Sequence, residues 1–139
     1  MVTNGIQNKY YRTSIKALIF DEKKRFLLLL EDNGFWELPG GGLDFGEKPH
    51  DCLTRELKEE MGVVVTHIEK RPSYFVTELN SYKRWTSNVL YETKVKNLEF
   101  TPSDECTEIR FFTKEEALKE NLNPIVKEFL KEFNSANHN

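Results

Sequence analysis

Glu56, Glu59 and Glu60 stand close together on a stretch that reads as helix. At 3.6 residues per turn the three carboxylates share one helical face, with Glu60 one turn beyond Glu56. Like charges at that spacing repel and destabilise an isolated helix. A bound cation offsets such a cost, and oxygen-only ligation suits Mg²⁺ or Mn²⁺. Immediately upstream lies a glycine-rich approach, Pro39-Gly40-Gly41-Gly42, and Arg55 sits four residues before Glu59, where it can orient that carboxylate.

The elements that must position these groups can be read from pattern. The helix is expected over Pro49–Met61, since proline suits the first helical position and Gly62 suits an αL cap. Leu53, Leu57 and Met61 form its apolar stripe, turned away from the glutamates. Lys48 falls at the N-cap, where Ser, Thr or Asp would normally bond the free N–H groups, so capping is expected from Asp44 or Glu47. Residues 14–20 and 25–31 read as two strands of a hairpin. The run Phe26-Leu27-Leu28-Leu29-Leu30 predicts a strand covered on both faces. A short strand follows over residues 35–38, with further strands over residues 73–79, Trp85–Val95 and residues 107–112. Thr113 and Glu116 form a capping box before a short helix, and Pro124 opens the last helix over residues 125–133. Residues 1–12 and 135–139 read as loosely held ends. Strands mixed with helices in this order predict a single α/β domain over residues 1–139, with helices on both sides of a mixed sheet.

Composition narrows the partners. The chain has 139 residues and a formal net charge of −3. That charge offers no electrostatic footprint for nucleic-acid backbone. The N-terminal residues are polar and no run approaches a membrane span, so a membrane partner is not expected. Cys52 and Cys106 have no ligand-like spacing and read as buried packing residues in a reducing, cytoplasmic setting. His50, at the start of the helix, lacks the companions of a zinc site.

Written as a pattern, the stretch over residues 41–63 is Gly41, five residues, Glu47, seven residues, Arg55-Glu56-Leu57, one residue, Glu59-Glu60, one residue, Gly62-Val63. This resembles the Nudix box of the Nudix hydrolase superfamily, with every fixed position filled. The box covers about a sixth of the chain. The Leu38-Pro39-Gly40-Gly41 approach and the element order extend the likeness over most of the rest. The resemblance implies a Nudix-type α/β/α sandwich and metal-dependent hydrolysis of a nucleoside diphosphate linked to another group. It implies Glu56, Glu59 and Glu60 as metal ligands, with Glu56 also a candidate base, and the Gly40 carbonyl as a further ligand. Glu47 and Arg55 then position the ligating carboxylates. Glu105, which precedes Arg110-Phe111-Phe112 at a spacing similar to that of MutT-like members, is an additional ligand or the general base. Asp104 and Glu108 stand close enough to replace it.

The substrate is less firmly marked. Phe35, Trp36, Tyr74, Tyr82, Trp85 and Tyr91 are aromatics able to stack on a base, Trp36 foremost. Asn123 resembles in position a base-reading asparagine of MutT-like proteins, and equally suits a turn before Pro124. Pro72 lies too early for the proline of ADP-ribose hydrolases, and Tyr82 only approximates the tyrosine of dinucleoside polyphosphate hydrolases. The expected activity is that of a MutT-like nucleoside triphosphate pyrophosphohydrolase. Nucleotide-sugar, ADP-ribose and dinucleoside polyphosphate hydrolysis are alternatives, and a nucleotide sensor without turnover is a rival of another class. Removal of pyrophosphate from RNA 5′ ends is a further reading, against which the acidic balance argues. A homodimer through an exposed strand edge is compatible with the pattern.

Overall fold

Phe26–Leu30 forms β2, and its side chains divide between two apolar cores. Leu27 and Leu29 pack with Leu53, Leu57 and Met61 of α1 (Pro49–Met61), whereas Phe26 and Leu28 pack with Phe129 and Leu130 of α3 (Pro124–Glu132). Alternate residues of a strand point to opposite faces, so a run of five apolar residues serves both cores at once. The strand is therefore a middle layer with a helix on each side, an α/β/α sandwich. The computed structural model describes residues 9–138 of the chain.

β1 (Arg12–Leu18) repeats the division, with Ile15 and Ala17 toward α1 and Leu18 toward α3. It runs parallel to β7 (Trp85–Val95) and antiparallel to β4 (Gly40–Gly42). The other edge of β7 carries β5 (Val65–Ile68) and β6 (Tyr74–Leu79), both antiparallel. A second sheet places β2 between β3 (Trp36–Glu37) and β8 (Glu108–Phe112). α2 (Lys114–Ala117) follows β8 and opens on the expected capping box between Thr113 and Glu116.

Three expectations change. The hairpin over residues 14–31 exists only at its turn, where the Asp21 carboxylate accepts the N–H groups of Lys23 and Arg25 at 2.9 Å. Beyond the Phe20–Phe26 bridge the strands enter different sheets, because β4 and β7 occupy both edges of β1. Two strands, β4 and β5, were not foreseen. Glycines carry no strand signal, and half of Val65–Ile68 is exposed, which blurs its alternation. The C-terminal segment is tied down over residues 135–138. Ser135–Asn137 makes a 3-10 turn, and His138 is only 4% exposed. Its Nε2 meets the Tyr74 hydroxyl at 2.7 Å, its Nδ1 bonds the Glu92 carboxylate, and its ring tilts over Phe20. At the other end, Arg12 already lies in β1 and donates to the Leu43 carbonyl at 2.6 Å. The expectation of loose ends otherwise falls on residues 1–8 and 139, which lie outside the described residues.

A clasped tail has a measurable consequence. His138→Ala leaves Tyr74 and Glu92 without their shared partner and should lower stability by about 1–3 kcal/mol. Urea unfolding reads this directly; an unchanged midpoint would return these residues to a frayed tail.

Candidate functional site

α1 begins at Pro49 with Lys48 as N-cap and no side-chain cap bond. Neither expected substitute caps it, because both acids serve the loop instead. The Glu47 carboxylate accepts from Arg55 Nε at 2.8 Å and Nη2 at 2.9 Å, and from the Asp44 N–H at 3.2 Å. The bonds from Arg55 hold the Glu47 carboxyl at about 2, well below the ordinary range. Arg55 also donates to Glu56 at 2.9 Å, to Glu59 at 3.2 Å and to the Gly42 carbonyl at 3.3 Å. One guanidinium thus fixes the loop to the helix and two of the box carboxylates to each other. Gly62 closes α1 in the left-handed conformation, its N–H on the Lys58 carbonyl.

The glycine approach works by close contact. A Cβ on Gly40, whose φ is 122°, would lie 2.1 Å from the Ile15 carbonyl oxygen. A Cβ on Gly41 would lie 2.5 Å from a Glu56 carboxylate oxygen. Without side chains, β4 can run against β1 and beside α1 at once. The Gly40 N–H then reaches Glu60 Oε1 at 2.9 Å.

Carboxylate oxygens of Glu56, Glu60 and Glu105 lie within 4.8 Å of one another. Glu60 is 7% exposed, Glu56 half-buried and Glu105 exposed. Burial pushes the Glu60 carboxyl up to about 8, with Glu56 and Glu105 adding to the rise; Lys16 and the Gly40 N–H oppose it. Burial also raises Glu56, against the pull of Arg55. Lys16 is buried behind the cluster, with Nζ 3.1 Å from the Gly40 carbonyl and 3.8 Å from Glu37. Burial alone would favour its neutral amine, but Glu37, Glu60, Glu31 and Glu56 outweigh that and keep it charged. Glu37 is itself raised by burial, with Lys16 opposing.

These groups line a cleft of about 510 Å³ whose lining also includes Asn88, Asn123 and Glu31. A larger hollow of about 640 Å³ elsewhere is lined by His67, Glu69 and Glu92 and contains none of the cluster.

The expected site residues do not all converge. Glu56, Glu60 and Glu105 meet, whereas Glu59 points outward with its side chain 55% exposed on Arg55. Glu59 and Glu60 are successive helical residues and therefore about 100° apart, which separates them. The Gly40 carbonyl accepts from Lys16. Trp36 is buried in the core, edge-on to Phe112 and under Arg110, away from the cleft. Tyr74 and Tyr91 are core residues too, while Tyr82 stands at the cleft. Asn123 caps α3, its Oδ1 accepting from Ile125, and also borders the cleft. Cys52 and Cys106 are buried free thiols, and burial pushes both up to about 12. Lys16, Glu31 and Glu37 went unread. Their signal was available: a lone lysine inside an apolar strand, and acids closing two short apolar runs.

The raised Glu60 carboxyl carries a pH signature. Its folded value of about 8 exceeds the ordinary 4.5, so the folded protein binds the extra proton. Stability from this group is complete below pH 4.5 and is lost as pH rises through about 8. Metal-free protein should therefore lose on the order of 5 kcal/mol across that window. Glu60→Gln should flatten the fall, and denaturant titrations at several pH values check it; parallel slopes in both proteins would contradict it.

A family model described as the NUDIX domain matches residues 10–133. An RNA pyrophosphohydrolase of Ruthia magnifica subsp. Calyptogena magnifica is 37% identical over 83 residues, covering 55% of this chain and 45% of the relative. An 8-oxo-dGTP diphosphatase of Proteus vulgaris is 58% identical over 33 residues, covering 24% of this chain and 30% of the relative. The matched segments thus span less than half the length of these curated relatives. Among solved structures, a MutT protein from Methanosarcina mazei Go1 superposes with a TM-score of 0.74 at 28% identity, covering 94% of this chain and 98% of that one. A MutT NUDIX hydrolase from Burkholderia pseudomallei, 20% identical, shares the fold with a TM-score of 0.75, covering 91% of this chain and all 100% of that one. With its family model spanning most of the sequence, and with Glu56 and Glu60 of the box meeting Glu105 at one cleft, this chain belongs to the Nudix hydrolase family.

Proposed function

We propose that this protein hydrolyses a pyrophosphate linkage in a nucleoside diphosphate derivative, with a MutT-like nucleoside triphosphate pyrophosphohydrolase as the leading form. The convergence of Glu56, Glu60 and Glu105 within 4.8 Å carries the reading. A buried carboxylate beside two others, with one lysine to balance them, suits a hard divalent cation with oxygen ligands. Mg²⁺ or Mn²⁺ held there would neutralise pyrophosphate charge and acidify a water for attack at phosphorus.

The chain's own residues divide the remaining work. Glu56 and Glu60 would hold the cation, and Glu59, now bonded to Arg55 at 3.2 Å, would be the further helix carboxylate able to join them. The Gly40 carbonyl has a second lone pair beyond the one that Lys16 engages, so it can also serve as a ligand. Glu47 and Arg55 fix the direction of the helix carboxylates. Glu105 takes the proton of the attacking water. Glu56 is tied to Arg55, whereas the Glu105 side chain makes no hydrogen bond among the described residues and stands exposed at the cleft.

The nucleotide reading draws on the cleft beside the cluster, which has Asn123 in its wall, and on the relative named 8-oxo-dGTP diphosphatase. Removal of pyrophosphate from RNA 5′ ends is the second reading, favoured by the relative named RNA pyrophosphohydrolase and opposed by the acidic balance of this chain. Two buried free cysteines fit a reducing, cytoplasmic setting, and among the described residues no helix is long and apolar enough to cross a membrane.

Turnover of a panel of nucleoside triphosphates, other nucleoside diphosphate derivatives and 5′-triphosphate RNA, with the products identified, tests the reading and separates its forms. Glu60→Gln should lower turnover by at least about a hundred-fold while the fold persists, since it removes a charge from the cation site. Glu105→Gln should lower kcat by roughly 10²–10⁴ with little change in KM, and steady-state kinetics on the active substrate check it; near-normal kcat would remove Glu105 as the base. Mg²⁺-saturated protein that binds nucleotides and releases nothing would support a sensor instead.

A further inference from the structure

The cleft extends beyond the carboxylate cluster to a polar end for which hydrolysis requires nothing. Glu31 closes β2 there, and its Oε1 is, among the described residues, the one buried side-chain oxygen or nitrogen without a hydrogen-bond partner. An unpaired buried acceptor costs about 1–3 kcal/mol, so it calls for a donor. None of the neighbours donates to it. Glu37 is also a carboxyl, engaged by Lys16 at 3.8 Å and by the Leu38 N–H at 2.7 Å. Asn123 donates one amide N–H to Ser81 at 3.2 Å, turns the other toward the Glu31 carboxyl without satisfying Oε1, and accepts from the Ile125 N–H at 3.3 Å. Asn88 donates to Thr86 at 3.0 Å and to the Val76 carbonyl. Tyr82, 57% exposed, offers a ring face where the cleft opens.

We propose that Glu31 is the residue that reads the base of the bound nucleotide, its Oε1 accepting an N–H from an exocyclic amino group and so selecting amine-bearing bases over their oxo counterparts. The inference rests on the nucleotide reading of the same cleft and adds a selectivity to it. An exocyclic amine presents two N–H groups at the rim of the ring, one of which points away from the ring nitrogen. An oxo group in its place sets lone pairs against Oε1 once the carboxyl is ionised, above the value of about 7 to which burial raises it, so the selectivity is read at about pH 8. The ring N–H of uracil lies between two carbonyl oxygens and that of hypoxanthine beside one, and these oxygens would meet the same carboxyl group. A site with a buried polar group left unpaired by the wrong ligand discriminates more sharply than one that only loses contact area. The Tyr82 ring can stack on the base and leave its edge to Glu31.

Nucleoside 5′-monophosphates test this apart from catalysis, because they contain no anhydride to cleave. Titration calorimetry compares CMP with UMP, AMP with IMP and GMP with IMP, pairs that isolate an amine. In at least one pair the amine-bearing member should bind about ten-fold tighter. Glu31→Met should bring that ratio close to one, and Glu31→Gln, which keeps an acceptor oxygen, should preserve it. If Glu31→Met does not fold, Glu31→Ala carries the same comparison. Ratios within two-fold in every pair, no measurable binding of any monophosphate, or a preference that survives loss of the acceptor would overturn the inference. Parallel hydrolysis assays on the triphosphates separate the two readings. Cleavage without amine preference removes Glu31 as the reader and leaves the hydrolase standing; preference without cleavage does the reverse.

Discussion

A single buried carboxylate sets the terms for this site. Glu60 is turned inward from α1 against a glycine strand, where water cannot stabilise its charge. The Gly40 N–H and the Lys16 ammonium are what the chain supplies in compensation, while Glu56 and Glu105 add repulsion. Much of the local sequence follows from holding such a group in place. β4 must lack side chains, because a Cβ at Gly40 or Gly41 would collide with the β1 backbone or with Glu56. Lys16 must reach through β1 to the same point, which makes a charged residue acceptable in an otherwise apolar strand. The proposed cation would relieve the repulsion among these acids.

Rigidity in the surrounding fold keeps those charges gathered. α1 is anchored by Leu53, Leu57 and Met61 on the core that also takes Leu27 and Leu29 of β2. Arg55 ties the loop ahead of the helix to the helix itself through Glu47. The opposite core, built on α3, carries Asn123 at its first turn, so one residue both caps a helix and borders the cleft. β2 joins the halves: its apolar run packs both cores and its terminal acid, Glu31, enters the cleft.

Legibility from sequence divides along physical lines. Local periodicity and caps were readable because they depend on neighbours in the chain: α1 between Pro49 and Gly62, the capping box at Thr113, and the doubly covered β2. The box itself gave Glu47, Arg55, Glu56 and Glu60 at their observed partners. Long-range pairing was not readable. Nothing local says that three glycines will form a strand on β1, or that the turn at Asp21 sends its two strands to different sheets. The inward turn of Glu60 and outward turn of Glu59 depend on which helical face meets β4. Lys16 is widely separated from the box, Glu31 and Glu37 lie only a short way ahead of it, and the fold brings all three to the same cleft. Trp36 illustrates the converse: an aromatic ahead of a glycine loop looks available for stacking, yet Phe112 and Arg110 enclose it.

Locating a Mn²⁺ ion by its anomalous scattering, in crystals grown with the ion, tests the proposed cation site without reference to any substrate. A peak coordinated by the Glu56 and Glu60 carboxylates, within reach of Glu105, is expected. Saturating Mn²⁺ with no peak at these side chains, or a peak only elsewhere on the molecule, would contradict it.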